Sequence, residues 1–252
     1  THRQESAGKE IYFISNQSDR PIDTMLSFRT STCMPELWDP LTGEIAAPIN
    51  WRLTGAYTGV RCALPAHGSV FVVFRHPVVH DHMAGIGPKQ RPGNVTRLTG
   101  AWSVQFDTVF GGPVSAQRFD SLMDWTASPD SNIHYYSGPA VYRKTFQWKS
   151  TNTYNHVLLD LGVLHDIATV SLNGIDCGTV WTGNRLDLTR AIRQGTNEIR
   201  VTVTNTWKNR LMGDEHLPEN QRRTWTSAPK RPDGSLLPAG ILGPIRIFEY
   251  RK

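Results

Sequence analysis

Cysteine is scarce in this chain of 252 residues, with only Cys33, Cys62 and Cys177 present. An odd and widely spaced set builds neither a disulfide framework nor a paired-cysteine metal site. Cys62 alternates with Val60 and Leu64, which places its thiol on the apolar face of a strand as a small hydrophobe. An oxidising compartment would still leave a Cys33–Cys62 bridge open. No apolar run approaches the roughly 18 residues that a membrane helix requires, so no helical span is expected. Helical periodicity is missing as well, since no segment sustains the i, i+3, i+4, i+7 spacing of a long amphipathic helix. Also absent are a Ser/His/Asp nucleophile elbow, a P-loop and a dinucleotide-binding glycine motif. The first residues, Thr1-His2-Arg3-Gln4-Glu5, contain neither an initiator Met nor a signal-peptide core, so the chain is expected to be a processed or excised piece.

The formal charge is +5 and is unevenly placed. Residues 1–76 hold seven basic and seven acidic side chains, leaving twenty against fifteen in the remainder. A basic surface can attract nucleic acid, yet there is no Lys/Arg block, aromatic RNA-binding motif or recognition-helix pattern to go with it. Nucleic acid is therefore not an expected partner.

What the sequence does contain is period-two alternation, which predicts an all-β chain. In the first part, strands are expected at Ile11–Asn16, Thr24–Arg29, Pro35–Trp38, Trp51–Leu53, Thr58–Leu64 and Ser69–Arg75, making a small immunoglobulin-like sandwich over 1–76. Asp39-Pro40-Leu41-Thr42-Gly43 reads as a turn, because Pro presets φ and Gly accepts φ > 0. Pro and Gly then crowd the stretch 77–98, which predicts a linker. Its His80-Asp81-His82 triplet is a poor metal site, since alternate residues of an extended chain face opposite sides.

A second domain is expected over 99–252. Its strands run at Trp102–Phe106, Ala140–Trp148, His156–Leu161, Ala168–Leu172, Cys177–Val180, Glu198–Thr204 and Ile245–Tyr250, enough for a jelly roll. Asn173-Gly174 predicts a tight hairpin, because both residues tolerate positive φ. Asp187 to Ile192 predicts one helical turn capped by Asp187 and stopped near Gly195. Asn205 to Ser235 shows neither period and is expected to be an irregular stretch. Because it contains Trp207 and Trp225, it is expected to be ordered against a neighbour.

The succession Tyr135-Tyr136-Ser137-Gly138-Pro139-Ala140-Val141-Tyr142-Arg143-Lys144-Thr145-Phe146, Leu159-Asp160-Leu161-Gly162, Val170-Ser171-Leu172-Asn173-Gly174 and Gly195-Thr196-Asn197-Glu198-Ile199 resembles the galactose-binding-like, sugar-binding jelly roll of glycoside hydrolase family 2 enzymes. Asn205-Thr206-Trp207-Lys208-Asn209-Arg210-Leu211-Met212-Gly213-Asp214, with Leu217-Pro218 and Gly240-Ile241-Leu242-Gly243-Pro244, resembles the C-terminal end of family 106 α-L-rhamnosidases. Pro35-Glu36-Leu37-Trp38-Asp39-Pro40 and Gly68-Ser69-Val70-Phe71-Val72-Val73-Phe74 resemble the sandwich that precedes it there. The resemblance implies an accessory fragment whose catalytic carboxylates stand on an upstream (β/α)8 barrel. No catalytic residue carries over. It further implies a bacterial, secreted or periplasmic parent enzyme that cleaves rhamnose-containing polysaccharides, with a carbohydrate and that upstream catalytic domain as partners.

Glycoside hydrolysis ordinarily needs two carboxyl groups facing each other across the sugar. Asp107, Asp120, Asp124, Asp130, Asp166, Asp214 and Glu215 are available, but most read as loop residues, and the adjacent pair Asp214-Glu215 is poorly arranged for attack from opposite faces. Sugar binding asks for an aromatic face with Asn, Asp and Arg beside it. Trp181, Asn184, Arg185 and Asp187 supply those types in one short stretch, and Trp207, Asn209, Arg210 and Asp214 in another. The same residues could equally anchor the core or a domain interface, with Arg210 and Asp214 as an ion pair holding the long loop. Three readings stay open at this point: an accessory module of a glycosidase, a self-sufficient carbohydrate-binding module, and a hydrolase site not yet seen. No cofactor or metal is implied.

Overall fold

The computed structural model describes residues 1–4, 9–41, 43–48, 50–84, 93–150, 156–181, 185–226 and 234–250. Strand accounts for 51% and helix for 10%, so the all-β expectation holds. The chain divides into two compact units, Thr1–Lys89 and Gln90–Lys252.

The first unit is built from β1 (His2–Gln4), β2 (Glu10–Ser15), β3 (Ile22–Phe28), β4 (Cys33–Trp38), β5 (Ile45–Ala46), β6 (Asn50–Thr54), β7 (Tyr57–Leu64), β8 (Ser69–Pro77) and β9 (His82–Ala84). They form two antiparallel sheets, ordered β1-β2-β8-β4-β5 and β3-β7-β6-β9. Alternation in β7 and β8 sends Val60, Cys62, Leu64, Val70, Val72 and Phe74 into the core beside Phe28 and Trp51. Each such side chain contributes about 1.5–3 kcal/mol when fully buried.

Cys33 and Cys62 come from different sheets and lie in that core as separate thiols. Burial pushes the Cys62 thiol from near 9 up to about 11. Its stabilising contribution is whole below the unfolded value and is lost as pH rises through the folded one, because only the unfolded chain ionises in between. A shift of that size corresponds to about 2 kcal/mol by pH 10.5. Urea titrations at pH 8 and pH 10.5 should show the advantage of wild type over Cys62→Ala shrinking by that amount; a constant gap would mean the thiol is not held neutral.

The described ends of the stretch 77–98 are tied into sheets. β8 runs on to Pro77, and β9 pairs with β6 in the first unit. The amide of Leu53 donates to the Asp81 carbonyl at 2.8 Å. At the far end, β10 (Asn94–Arg97) pairs with the last strand of the second unit. These are three- and four-residue edge strands, held by backbone bonds to a sheet already formed, and so they carry no hydrophobic alternation to be read. The Asp81 carboxylate is held below its ordinary range, chiefly by a 2.7 Å hydrogen bond with the His82 ring. Among the described residues no group of three or more His, Cys, Asp or Glu is placed to hold a metal ion.

The second unit continues with β11 (Trp102–Phe106), β12 (Gln117–Phe119), α1 (Ser131–His134), β13 (Pro139–Trp148), β14 (His156–Asp160), β15 (Val163–His165), β16 (Ile167–Leu172), β17 (Ile175–Val180), β18 (Arg185–Asp187), β19 (Gly195–Thr204), α2 (Lys208–Glu215), β20 (Gly240–Gly243) and β21 (Arg246–Tyr250). One sheet runs β10-β21-β14-β18 and the other β12-β11-β13-β19-β16-β17, with β15 and β20 paired beside them. The core takes Trp102, Val104 and Phe106 from β11, Ala140 and Tyr142 from β13, and Ile199, Val201 and Val203 from β19; Leu159 and Ile247 come from the other sheet. Asn173 and Gly174 take φ of 54° and 81° in the hairpin between β16 and β17. The Asp187 carboxylate accepts from the Thr189 amide at 2.7 Å and opens the expected helical turn, in which the amides of Ala191 and Ile192 donate to the Leu188 carbonyl.

Candidate functional site

The segment expected to be irregular contains α2 and a 3-10 turn at Glu219–Gln221. The helix escaped detection because its buried residues are Asn209, Arg210, Gly213 and Asp214. That stripe has helical spacing but polar content, so a search for apolar periodicity passes over it. Gly213 is required by close packing, since a Cβ there would lie 2.6 Å from the Tyr135 side chain.

Each polar residue of the stripe fastens a different piece of chain. Asn209 donates to the Leu237 carbonyl at 2.7 Å and accepts from the Leu237 amide at 2.8 Å. The Arg210 amide donates to the Ser137 hydroxyl at 3.0 Å. The Asp214 Oδ2 atom accepts from the amides of Arg223 and Thr224, at 2.9 and 2.7 Å, and from the Thr224 hydroxyl at 2.6 Å. Just before the helix, Asn205 donates to the Tyr136 carbonyl and accepts from the Gly138 amide, both at 2.9 Å. The described part of the segment is therefore tied to its own sandwich.

Arg210 Nη1 lies 3.9 Å from Asp214 Oδ1, with both side chains almost wholly buried. Among the described residues, Nε and Nη2 of the arginine and Oδ1 of the aspartate make no hydrogen bond. Burial lowers the Arg210 pKa, and the Asp214 charge acts against that shift.

Beside α2 lies a cleft of about 420 Å³ lined by Leu211, Asp214, Glu215, Glu219, Arg222 and Trp225, among others. Trp225 is 85% exposed there. Trp207, immediately before the helix, is half exposed and tilts against the Phe110 ring at 5.7 Å. Sequence reasoning did not include Glu219, Arg222 or Trp225 in the candidate set. The available signal was a tryptophan in a polar stretch, which nothing local would bury.

The other candidate group stays apart. Trp181 is 74% exposed. Arg185 reaches Asp160 at 3.3 Å and lies 5.3 Å from the Phe248 ring centre. His156 approaches Asp187 at 3.3 Å. Burial acts to raise the Asp187 pKa, but the bonds from the Thr189 side chain and amide, with the charges of His156 and Arg190, bring it below the ordinary value. Asn184 lies outside the described residues. Among the described residues no hydrogen bond, ion pair or ring contact joins this group to the α2 group.

Of the acidic residues open to hydrolytic roles, Asp214 latches the chain after α2, Glu215 lines the cleft beside that helix, and most of the others hold turns or loops. Asp107, Asp124 and Asp130 cap short helical turns by accepting from the amides of Val109, Thr126 and Asn132. Asp120 pairs with Arg118 at 2.8 Å, and Asp166 accepts from the Thr206 amide at 3.1 Å.

Residues 127–234 match the family described as glycosyl hydrolase 2 galactose-binding domain-like. The structure of a rhamnosidase from Novosphingobium sp. PP1Y aligns with 98% of this chain at a TM-score of 0.80 and 38% identity. A Formosa agariphila protein that carries a beta-glucuronidase name is 38% identical over an alignment of 177 residues that covers 60% of this chain. The chain spans 23% of the first and 15% of the second. The second unit is a glycoside hydrolase-associated, galactose-binding-like β-sandwich.

Proposed function

We propose that this chain is a non-catalytic accessory region of a multidomain glycoside hydrolase of the family 106, α-L-rhamnosidase type, acting on rhamnose-containing polysaccharides. The observation that carries this reading is the alignment of both units with one rhamnosidase, at 38% identity over 98% of the chain. The engagement of Asp107, Asp124, Asp130, Asp166 and Asp214 as caps and latches supports it: glycoside hydrolysis requires one carboxyl group free to give a proton and another facing it. The partners are then the carbohydrate and an upstream catalytic domain. Polysaccharides do not cross membranes, which favours a secreted or periplasmic setting in a bacterium. Purified chain incubated with an aryl α-L-rhamnoside should release no more phenol than buffer does. Turnover that co-purifies with the chain would overturn the accessory reading.

A second reading, a self-sufficient carbohydrate-binding module, draws on the cleft beside α2. There Trp225 offers a face for a pyranose, and Arg222 and Glu219 offer partners for its hydroxyls. Calorimetry with rhamnose-containing oligosaccharides separates the two readings. Micromolar binding that is lost in Trp225→Ala supports the module, and heats equal to dilution support the scaffold.

A further inference from the structure

The outward face of the six-stranded sheet carries a row of residues set by strand register: Arg118, Ser103, Arg143, Arg200, Ser171 and Asp176, each opposite the next. Arg143 on β13 and Arg200 on β19 are direct cross-strand partners, and both are exposed. Directly opposed residues place their Cβ atoms about 4.5–5.5 Å apart, a position in which like charges repel. Neither arginine makes an ion pair or side-chain hydrogen bond among the described residues. Arg118 at the end of the row is paired with Asp120. Glu198 stands one row away, opposite Thr145, and pairs with neither arginine. A similar opposition on the other sheet, Arg97 against Arg246, has an acid on the other side of Arg246, namely Asp160. The Arg143–Arg200 pair has no such neighbour in its row until Asp176, two strands beyond Arg200.

A groove of about 430 Å³ opens over the Arg118–Ser103–Arg143 end of this row, lined by those residues with Thr145 and Glu198, among others, and Arg200 stands next to it on the adjoining strand. Lys144 at its edge is already engaged, donating to the Ala101 carbonyl at 2.8 Å and lying 5.5 Å from the Trp102 ring centre. The neighbouring outward row is rich in hydroxyls, with Thr202, Thr169 and Thr179 in register. The apolar residues of the groove are Ala101, Ala116 and the buried Trp102. A protein interface would call for exposed aromatic or aliphatic anchors at its centre, and the lining of this groove includes none.

We infer that this sheet face binds an acidic saccharide, with Arg143 and Arg200 closing from two sides on one sugar carboxylate and the flanking hydroxyl side chains meeting the ring hydroxyls. Guanidinium suits the role, because its planar fork matches a carboxylate and stays charged at any working pH. An anion between the two arginines converts their repulsion into a shared attraction. The choice of a saccharide as the carrier of that anion rests on the accessory reading above; the anion site itself does not.

The test is calorimetry of the whole chain with oligogalacturonate, the methyl-esterified oligomer and poly-L-glutamate at low and moderate salt. Oligogalacturonate should bind, weakening as salt rises and by at least tenfold on esterification. Arg143→Gln and Arg200→Gln should each weaken binding by about tenfold, Arg97→Gln on the other sheet should leave it unchanged, and all three should melt no lower than wild type. Equal binding of poly-L-glutamate, or its binding alone, would overturn the saccharide assignment. Failure of all three polymers, or full binding by the double arginine variant, would overturn the site. Because no step depends on turnover of an aryl rhamnoside, this result and the test of the accessory reading fail independently.

Discussion

Asp214→Ala is expected to lower the melting midpoint of the second unit by about 10 °C. The carboxylate does two jobs. Its Oδ2 atom gathers the Arg223 and Thr224 amides and the Thr224 hydroxyl, fixing the chain after α2. Its charge is also the acidic neighbour of the buried Arg210 guanidinium. Removing one member of a buried ion pair costs about 3–5 kcal/mol, because the other charge is left without compensation. For a unit of this size, each kcal/mol corresponds to about 2–4 °C. Asp214→Asn separates the two jobs, since an amide oxygen can still accept from the loop while the charge is gone. It should keep Arg222 and Arg223 resistant to trypsin yet melt below wild type. Arg210→Met placed on Asp214→Ala should recover part of the lost midpoint, because the stranded charge is then absent. A midpoint for Asp214→Ala within 2 °C of wild type would refute the latch.

How much of this was legible in the sequence depends on which physical signal each element sends. Strands that bury one face send a period-two pattern, and β7, β13 and β19 lie within a few residues of where that pattern put them. Turns that demand positive φ send Asn-Gly, as at Asn173-Gly174. β9 and β10 send nothing, because an edge strand held by backbone bonds needs no particular side chains. The helix α2 sends a misleading signal: Asn209, Arg210 and Asp214 look like surface residues and are buried because each ties down a separate segment. Of the candidate residues, those three and Trp207 lie in one segment, and the sequence left open whether they meet a sugar or anchor the core with Arg210 and Asp214 paired; the structure buries the three and leaves Trp207 half exposed. The opposition of Arg143 and Arg200 was not readable either, since it depends on the register of two strands about fifty residues apart.

The other large effect is expected at the aromatic box under β20. Trp125, in the short turn Trp125–Ala127, is fully buried and donates from Nε1 to the Tyr142 hydroxyl at 2.6 Å. Phe106 and Tyr136 meet its ring edge-on, at 5.2 and 5.6 Å between centres. The same turn is stitched to the chain entering β20: the Trp125 amide donates to the Ala239 carbonyl, and the Ala239 amide donates to Asp124, each at 3.0 Å. Gly240 follows with φ of 93°, and a Cβ there would lie 2.4 Å from Trp125 Nε1. Trp125→Ala should therefore cost about 3–5 kcal/mol through the cavity it leaves. Gly240→Ala should cost about 2–4 kcal/mol, combining strain at positive φ with displacement of a packed ring. The two changes should not add. With the indole gone, the new methyl group enters vacated space, so the double variant should be at least about 1 kcal/mol more stable than the sum of the single losses predicts. Urea unfolding of the four proteins measures that coupling. Strict additivity would mean that Gly240 is needed for its backbone alone and that the approach of Trp125 plays no part in the choice of residue.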